Sequence, residues 1–122
     1  MLTKVHHIHI TIPEGMTELA REFYIDKLGL AEINKPEKLK HRVSFWVSLG
    51  EIDIHISEED GEHREGTKAH IAYEVDNLDY LQKRLAHLGL EVKAEIIQLP
   101  GYRRIHFRDP FGNMVELIQP NS

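Results

Sequence analysis

Apolar and polar residues alternate along residues 4–12, which is the period of a β-strand with two different faces. The apolar face carries three isoleucines, and the polar face carries His7 and His9, while His6 points to the opposite side. Neutral imidazole is the commonest protein ligand for divalent transition metals. A strand this rich in histidine therefore has either a solvated polar face or a metal ligand.

The apolar spacing changes after this strand. Between residues 17 and 28 apolar residues recur three and four positions apart, which predicts an amphipathic helix that ends at Gly29. Alternation then returns in three segments, which predicts strands near residues 30–35, 42–49 and 51–57. The first half of the chain therefore predicts the element order βαβββ.

The second half repeats that order. Residues 69–75 alternate like the first strand, and leucines from Leu78 to Leu88 predict an amphipathic helix that ends at Gly89. Three further strands are expected, near residues 90–96, 102–108 and 113–119. The stretch "HHIHITIP…KLGL" in the first half also matches "AHIAYEVD…HLGL" in the second.

This duplication predicts the fold class. We expect an α+β fold in which two tandem βαβββ modules, residues 4–60 and 68–120, form a curled mixed sheet around a cleft, with the helices outside. Both modules would belong to a single domain spanning residues 1–122. The charged, glycine-containing segment 58–68 is expected to be an exposed connector between the modules.

Composition narrows the chemistry. The 122-residue chain has no cysteine, so that any metal must be held by histidine, carboxylate and water. The net charge of −5 and the lack of a long basic block argue against nucleic acid or an anionic membrane as a partner, and favour a small molecule. No apolar run reaches membrane-spanning length and the first residues do not resemble a secretory signal, so we expect a cytoplasmic protein.

The duplication also selects candidate metal ligands. His7 and His70 occupy the same place in the first strand of each half, and both would point away from the helix side. Glu116 lies between two apolar residues and would point the same way; its first-half counterparts are Asp53 and His55. Two histidines and a carboxylate from strands can hold a divalent ion and leave positions open for water or substrate. The alternative for each residue is an ordinary solvated strand face.

Three segments of the chain resemble a known family: "HHIHITIP…EFYIDKLGL", "KAHIAYEVDNLDYLQKRLAHLGL" and "YRRIHFRDPFGNMVELIQ". They are similar to the vicinal oxygen chelate superfamily, which includes glyoxalases, fosfomycin-resistance proteins, extradiol ring-cleavage dioxygenases and bleomycin-binding proteins. The resemblance covers nearly the whole chain. Its most specific parts are "FYIDKLG" and the "RDPFGNMVEL" hairpin, whose Asp-Pro and Gly-Asn pairs supply turn geometry.

The resemblance implies a metal site and a catalytic role for it. Carried onto this chain, the family's ligands fall on His7, His70 and Glu116, with His55 or Asp53 as the fourth. The implied cofactor is one divalent ion, Zn²⁺, Ni²⁺, Co²⁺, Mn²⁺ or Fe²⁺. Glu116 would be both a metal ligand and the residue most directly involved in catalysis. Because imidazole must be deprotonated to bind, metal affinity should fall as the pH falls.

Strand parity adds candidate substrate-binding residues. An aromatic and several polar or basic side chains would share the face of the candidate ligands: Trp46, Arg104, His106, Arg108 and His9. Together they would suit a small, oxygen-rich substrate. The alternative for the arginines is a surface role in solubility.

Three classes of function follow from these features. The first is a metal-dependent lyase, isomerase, transferase or ring-cleavage dioxygenase that chelates vicinal oxygens of its substrate. The second is a metal-free binding protein for a drug, of the bleomycin-resistance type. The third is an interaction module with a vestigial site. In each case we expect a homodimer, because short curled sheets leave edges that a symmetric copy would cover.

Overall fold

The computed structural model describes residues 1–61, 64–95 and 97–122. The chain divides into two compact units, Met1–Glu62 and His63–Ser122, and each unit contains one four-stranded mixed sheet. The predicted α+β class and the tandem βαβββ order are confirmed. None of the described helices is long and apolar enough to cross a membrane.

The first unit pairs its strands in the order β1-β4-β3-β2, with β1 parallel to β4 and the other neighbours antiparallel. Its elements are β1 (His7–Ile12), α1 (Thr17–Arg21), a π-helical turn (Glu22–Lys27), β2 (Ala31–Ile33), a 3-10 turn (Glu37–Leu39), β3 (Ser44–Leu49) and β4 (Ile52–Glu58).

The predicted helix over residues 17–28 is therefore an α-helix that widens into a π-helical turn. The wider turn is closed by a hydrogen bond from the backbone N–H of Leu28 to the carbonyl of Phe23, 3.0 Å long. Both aromatic side chains of this turn, Phe23 and Tyr24, are almost completely buried, and their ring centroids lie 5.1 Å apart. Gly29 then ends the segment at a φ of 83°, in the left-handed region that favours glycine.

The second unit has the same topology, in the order β5-β8-β7-β6. Its elements are a 3-10 turn (Arg64–Gly66), β5 (His70–Glu74), α2 (Leu78–His87), β6 (Val92–Ala94), β7 (Tyr102–Arg108) and β8 (Met114–Pro120). The Asn77 side chain caps α2 by accepting a hydrogen bond from the N–H of Tyr80, at 3.1 Å.

Several observed strands are shorter than predicted. β1 begins at His7 rather than at residue 4, because its pairing with β4 begins there, with His7 beside Asp53. β2 and β6 are edge strands of three residues each. Residue 96, within the strand predicted for residues 90–96, and residues 62 and 63 of the predicted connector lie outside the described residues.

Each sheet has one apolar and one polar face. The apolar faces form the core of their units, with fully or nearly fully buried residues in every long strand: Ile12, Phe45, Val47, Ile54, Ile56, Ile105, Phe107, Val115 and Leu117. Val43 and Leu49 alternate in step with Phe45 and Val47 but are exposed, since Val43 precedes β3 and Leu49 lies at its end. The candidate functional residues occupy the opposite, polar faces.

Candidate functional site

Two predicted metal ligands meet on the polar face of the second sheet. β5 and β8 run in parallel, with His70 beside Met114 and Ala72 beside Glu116. This register brings His70 Nε2 to 3.2 Å from Glu116 Oε1. Protein ligands lie about 2.0–2.2 Å from a zinc-sized ion, so that two adjacent ligands are about 3.0–3.5 Å apart. The observed separation is therefore suitable for two ligands of one ion.

The orientation of the His70 ring is also suitable for metal binding. Its Nδ1 lies 2.8 Å from the backbone carbonyl oxygen of Lys68, which can only accept a hydrogen bond. The ring proton therefore belongs on Nδ1, and the lone pair remains on Nε2, the atom that faces Glu116. A backbone carbonyl that fixes the tautomer in this way is a common partner of metal-binding histidines.

Glu116 is a buried carboxylate, with only 5% of the residue exposed. Besides His70, the Arg104 guanidinium contacts it: Nη1 donates to the same Oε1 at 3.2 Å. Arg104 is held in place by a second bond from Nη2 to the Ile97 carbonyl, at 3.0 Å, and its backbone N–H donates to Gln98 Oε1 at 2.8 Å. A buried carboxylate requires such a partner, because an unpaired charge away from water is costly.

The two other basic candidates of β7 have partners within the second unit. His106 Nδ1 lies 2.7 Å from Glu95 Oε1. Arg108 donates to three backbone carbonyls, those of Arg64, Thr67 and Gly112, at 2.9–3.2 Å. Arg108 thus holds the segment before β5 next to the β7–β8 turn. Substrate binding by either residue stays a prediction.

The polar face of the first sheet carries stacked rings instead of ion pairs. His55 lies between two planar side chains: its ring centroid is 3.7 Å from that of Trp46, with an interplanar angle of 7°, and 4.3 Å from that of His7, with an angle of 18°. Partial burial, followed by the nearby His7 and His9 rings, holds the pKa of His55 below its ordinary value of 6.5. The stack is therefore centred on an uncharged imidazole at neutral pH.

A cavity of about 540 Å³ lies on this face of the first unit. It is lined by aromatic, imidazole, hydroxyl, charged and aliphatic groups: His9, Leu39, Arg42, Val43, Ser44, Trp46, His55, Ser57 and Glu58. The sequence prediction included Trp46 and His9 as substrate-binding residues, and both line the cavity. It did not assign a role to Ser57, although its even spacing from His55 places the two on one face. Leu39 and Arg42 lie between β2 and β3, where no alternating pattern in the sequence could predict that they line a cavity.

The strand register shows which residues of the two halves are equivalent. In the second sheet Glu116 stands two positions after Met114, the partner of His70. In the first sheet His55 stands two positions after Asp53, the partner of His7. His55 is therefore the counterpart of Glu116, whereas Asp53 corresponds to Met114.

The predicted ligand set is distributed over both units. His7 belongs to the first unit, with both candidates for the fourth ligand, and His70 and Glu116 belong to the second. Within the described parts of the chain, no three histidine or acidic side chains form a ready metal-binding group. Of the predicted ligands, His70 and Glu116 are the two that this structure brings within 3.2 Å of each other in the second unit.

Comparison with solved structures shows proteins of the same fold. A protein assigned to the glyoxalase family from Bacillus anthracis is 33% identical, with a TM-score of 0.87, and the match covers 99% of this chain and 98% of that one. The fosfomycin resistance protein FosX from Listeria monocytogenes, in its complex with Mn(II) and sulfate, is 22% identical with a TM-score of 0.78, covering 99% and 93%.

An antibiotic-binding protein from a Streptomyces species is also 22% identical, with a TM-score of 0.72, covering 99% of this chain and 100% of that one. No curated protein matches the sequence. The model of one protein family matches residues 6–117. This match, together with the 33% identity over nearly the whole length of a glyoxalase-family relative, shows that the chain belongs to the Glyoxalase/Bleomycin resistance protein/Dioxygenase superfamily.

Proposed function

We propose that this chain is a divalent-metal-dependent enzyme that acts on a small, oxygen-rich molecule by holding two neighbouring oxygens of it. The observation that supports this most directly is the 3.2 Å separation of His70 Nε2 and Glu116 Oε1, with the His70 tautomer set by Lys68. A structural relative, FosX, has been solved with Mn(II). The donor set of imidazole and carboxylate suits Zn²⁺, Ni²⁺, Co²⁺, Mn²⁺ or Fe²⁺.

The proposed site has three ligands from this sequence. His70 and Glu116 supply two, and His7 supplies the third, from the same chain or from a second copy in a homodimer. His55 or Asp53 would be the fourth. When bound, the ion acts as a Lewis acid that polarises the substrate oxygens and stabilises negative charge as it develops.

The remaining residues bind and orient the substrate in this proposal. Arg104 lies beside Glu116 and can donate hydrogen bonds to an anionic oxygen, which favours charge development there. Trp46 and His9 form part of a wall for the rest of the molecule, and His106 and Arg108 are further contacts on the second sheet. Lyase, isomerase, transferase and ring-cleavage dioxygenase reactions all use such a binding step.

Metal stoichiometry tests the proposal. The protein, purified without chelator and equilibrated with each candidate ion, is compared with the variants His7→Ala, His70→Ala and Glu116→Gln by elemental analysis. His87→Ala, an exposed histidine near the end of α2, is the matched control. We expect about one ion per chain in the native protein and the control, and a large loss in the three variants.

The opposite outcome identifies the alternative function. Native protein that takes up no ion under metal-replete conditions, or equal metal content in all variants, contradicts the enzyme proposal. A metal-free binding protein of the bleomycin-resistance type would then be the better assignment, and the 540 Å³ cavity of the first unit is the observation that favours it.

A further inference from the structure

We propose that Arg108 is a positioning residue, whose guanidinium sets the ring orientation and the tautomer of His70 through the backbone of residues 67–69. The inference rests on the proposed function, since it concerns one of the metal ligands proposed above. All the contacts that carry it lie in the second unit. Its main consequence, the tautomer of His70, can be measured on the protein without metal.

Arg108 lies in the same row of the sheet as His70. Arg108 on β7 pairs with Met114 on β8, and Met114 pairs with His70 on β5. His70 is the first residue of β5, and β5 is an edge strand of its four-stranded sheet. The ends of strands open more readily than the interior of a sheet. A ligand at this position therefore needs support from outside the strand pairing.

The Arg108 guanidinium supplies that support by bonding to three backbone carbonyl oxygens. Its Nη2 donates to Thr67 at 2.9 Å, and its Nη1 donates to Arg64 at 3.0 Å and to Gly112 at 3.2 Å. Two of these carbonyls precede β5, and the third belongs to the turn between β7 and β8. A planar guanidinium holds several acceptors in fixed directions, which a lysine ammonium on its flexible stem does not.

The bond to Thr67 reaches His70 through the next two residues. The Thr67 hydroxyl accepts a hydrogen bond from the N–H of Ala69, at 3.2 Å. That N–H and the carbonyl of Lys68 belong to one planar peptide group, so that the hydroxyl also fixes the direction of the carbonyl. The Lys68 oxygen lies 2.8 Å from His70 Nδ1 and keeps the ring proton there. Arg108 holds Thr67, and Thr67 holds the carbonyl that orients His70.

A close backbone contact holds the same two segments together. Gly112 has a φ of 99°, and a Cβ at this position would lie 3.0 Å from Glu65 Oε2 and 3.3 Å from Arg64 Cβ. The 3-10 turn before β5 therefore packs directly on the turn between β7 and β8. A methyl group at residue 112 would strain the backbone and push the two turns apart.

NMR on the protein without metal tests the inference. In mildly alkaline buffer, where imidazole is neutral, the chemical shifts of the two ring nitrogens show which one carries the proton. We expect the native His70 to carry it on Nδ1, and Arg108→Lys to give a mixture of tautomers. Arg103→Lys, at an exposed arginine of the same strand, is the matched control and should keep the native tautomer.

Metal affinity provides the second measurement on these variants. Direct partners of metal-binding histidines usually contribute about 10–100-fold to affinity. Arg108 acts at least one step further from the ion, so Arg108→Lys should bind metal about three- to tenfold more weakly by titration calorimetry. Arg103→Lys should bind it like the native protein.

A second pair of variants tests the same contact from the other side. Gly112→Ala should reproduce the mixture of tautomers and the weaker metal binding, although Arg108 is intact. Gly89→Ala is the matched control: its φ of 85° gives similar backbone strain, but its Cβ would meet no atom of the described residues within 4 Å. This control should lose stability in urea unfolding and keep the native tautomer of His70, which separates positioning from general destabilisation.

Three results would overturn the inference: a native His70 with its proton on Nε2, an Arg108→Lys variant with native tautomer and affinity, or weaker metal binding in that variant with an unchanged tautomer. Failure of the proposed function looks different. A protein that takes up no metal, but whose His70 tautomer depends on Arg108, would leave the positioning role standing and the enzyme proposal wrong. Metal uptake with an affinity and a tautomer that do not depend on Arg108 would do the reverse.

Discussion

The two halves of the chain share one topology and one strand register, but their polar faces have different chemistry. Four pairs of equivalent positions show the difference. Both halves carry a histidine on the first strand; at the other three positions the first half carries two aromatic rings and a hydroxyl, whereas the second half carries a carboxylate, an imidazole and a guanidinium. The equivalent pairs, first half before second, are His7 and His70, His55 and Glu116, Trp46 and His106, and Ser44 and Arg104.

This difference shows what the duplicated backbone does and does not determine. In the second half a buried carboxylate, Glu116, requires a cation and has Arg104 as its partner. In the first half the equivalent residue is His55, whose lowered pKa keeps it uncharged at neutral pH and whose ring stacks on Trp46. The same position on the last strand is therefore paired with a cation in one sheet and with an aromatic ring in the other. The partners come from different positions, since Arg104 corresponds to Ser44 and Trp46 corresponds to His106.

The largest expected effect comes from changing the two equivalent positions to the same residue. Glu116→Gln should lower metal affinity more than about a hundredfold, because a neutral amide replaces the charged ligand, whereas His55→Gln should lower it less than about tenfold. Competition with a chromogenic chelator measures both affinities. Equal losses would show that His55 is a full ligand and that the two halves contribute alike.

Arg104 should have the next largest effect, and in the opposite direction. Its Nη1 shares Glu116 Oε1 with any incoming ion, so that removing it in Arg104→Gln should raise metal affinity about three- to tenfold. The metal-free protein should lose about 1–3 kcal/mol of unfolding free energy, since a buried carboxylate loses its charged partner. Calorimetric metal titration and urea unfolding measure the two effects.

The neighbouring arginine provides the control for this prediction. Arg103 precedes Arg104 on β7 but forms an exposed ion pair with Asp79, at 3.1 Å. Arg103→Gln should change neither metal affinity nor stability appreciably. Reduced metal affinity in Arg104→Gln would mean that the arginine orients Glu116 for the ion rather than competing with it.

A smaller effect is expected from the ring stack of the first half. The double-mutant cycle of Trp46→Leu and His55→Gln should give a coupling energy of about 0.5–1.5 kcal/mol in urea unfolding. The same double-mutant cycle at the equivalent positions His106 and Glu116 should give a coupling energy without a stacking contribution, because a carboxylate has no ring. A coupling near zero between Trp46 and His55 would remove the contrast between the two faces.

Much of this contrast follows from patterns that the sequence reveals. Period-two alternation predicted that His7, His70 and Glu116 lie on the faces opposite the core, and they do. Successive side chains of a strand point to opposite faces, so that burial of the apolar residues places the polar residues on the other face. The sequence alone could not choose between Asp53 and His55 as the counterpart of Glu116, because the choice depends on strand register. The π-helical turn was also missed, since its apolar spacing is close to that of an α-helix.

The smallest expected effect concerns the helix beginnings. In each half a side chain at the end of the last long strand accepts a hydrogen bond from the first N–H of the helix: Glu58 from Thr17 at 3.3 Å, and Gln119 from Leu78 at 2.7 Å. Hydrogen bonds from Thr17 hold the pKa of Glu58 below its ordinary value of 4.5. The first-half contact is therefore ionisable, whereas its second-half equivalent is neutral.

Glu58→Gln converts the first contact to the kind found in the second half. Because the folded-state pKa of Glu58 is lowered, its carboxylate contributes stability above the unfolded value of 4.5, and this is lost as the pH falls through the folded value. We expect the free energy of unfolding of the native protein to exceed that of the variant by a few tenths of a kcal/mol near neutral pH, and this difference should vanish in acid. Urea unfolding across this pH range measures it, and a difference independent of pH would contradict the assignment.

These two contacts have a consequence for assembly. Each hydrogen bond joins residues 41 positions apart that lie within one unit. In each half the start of the helix is therefore bonded to the last strand of the same half. A half that is closed in this way can be exchanged between two copies of the chain without breaking these hydrogen bonds. In the proposed homodimer, exchanged and unexchanged forms would then differ little in internal bonding, and because both forms contain two chains, protein concentration would not shift the balance between them.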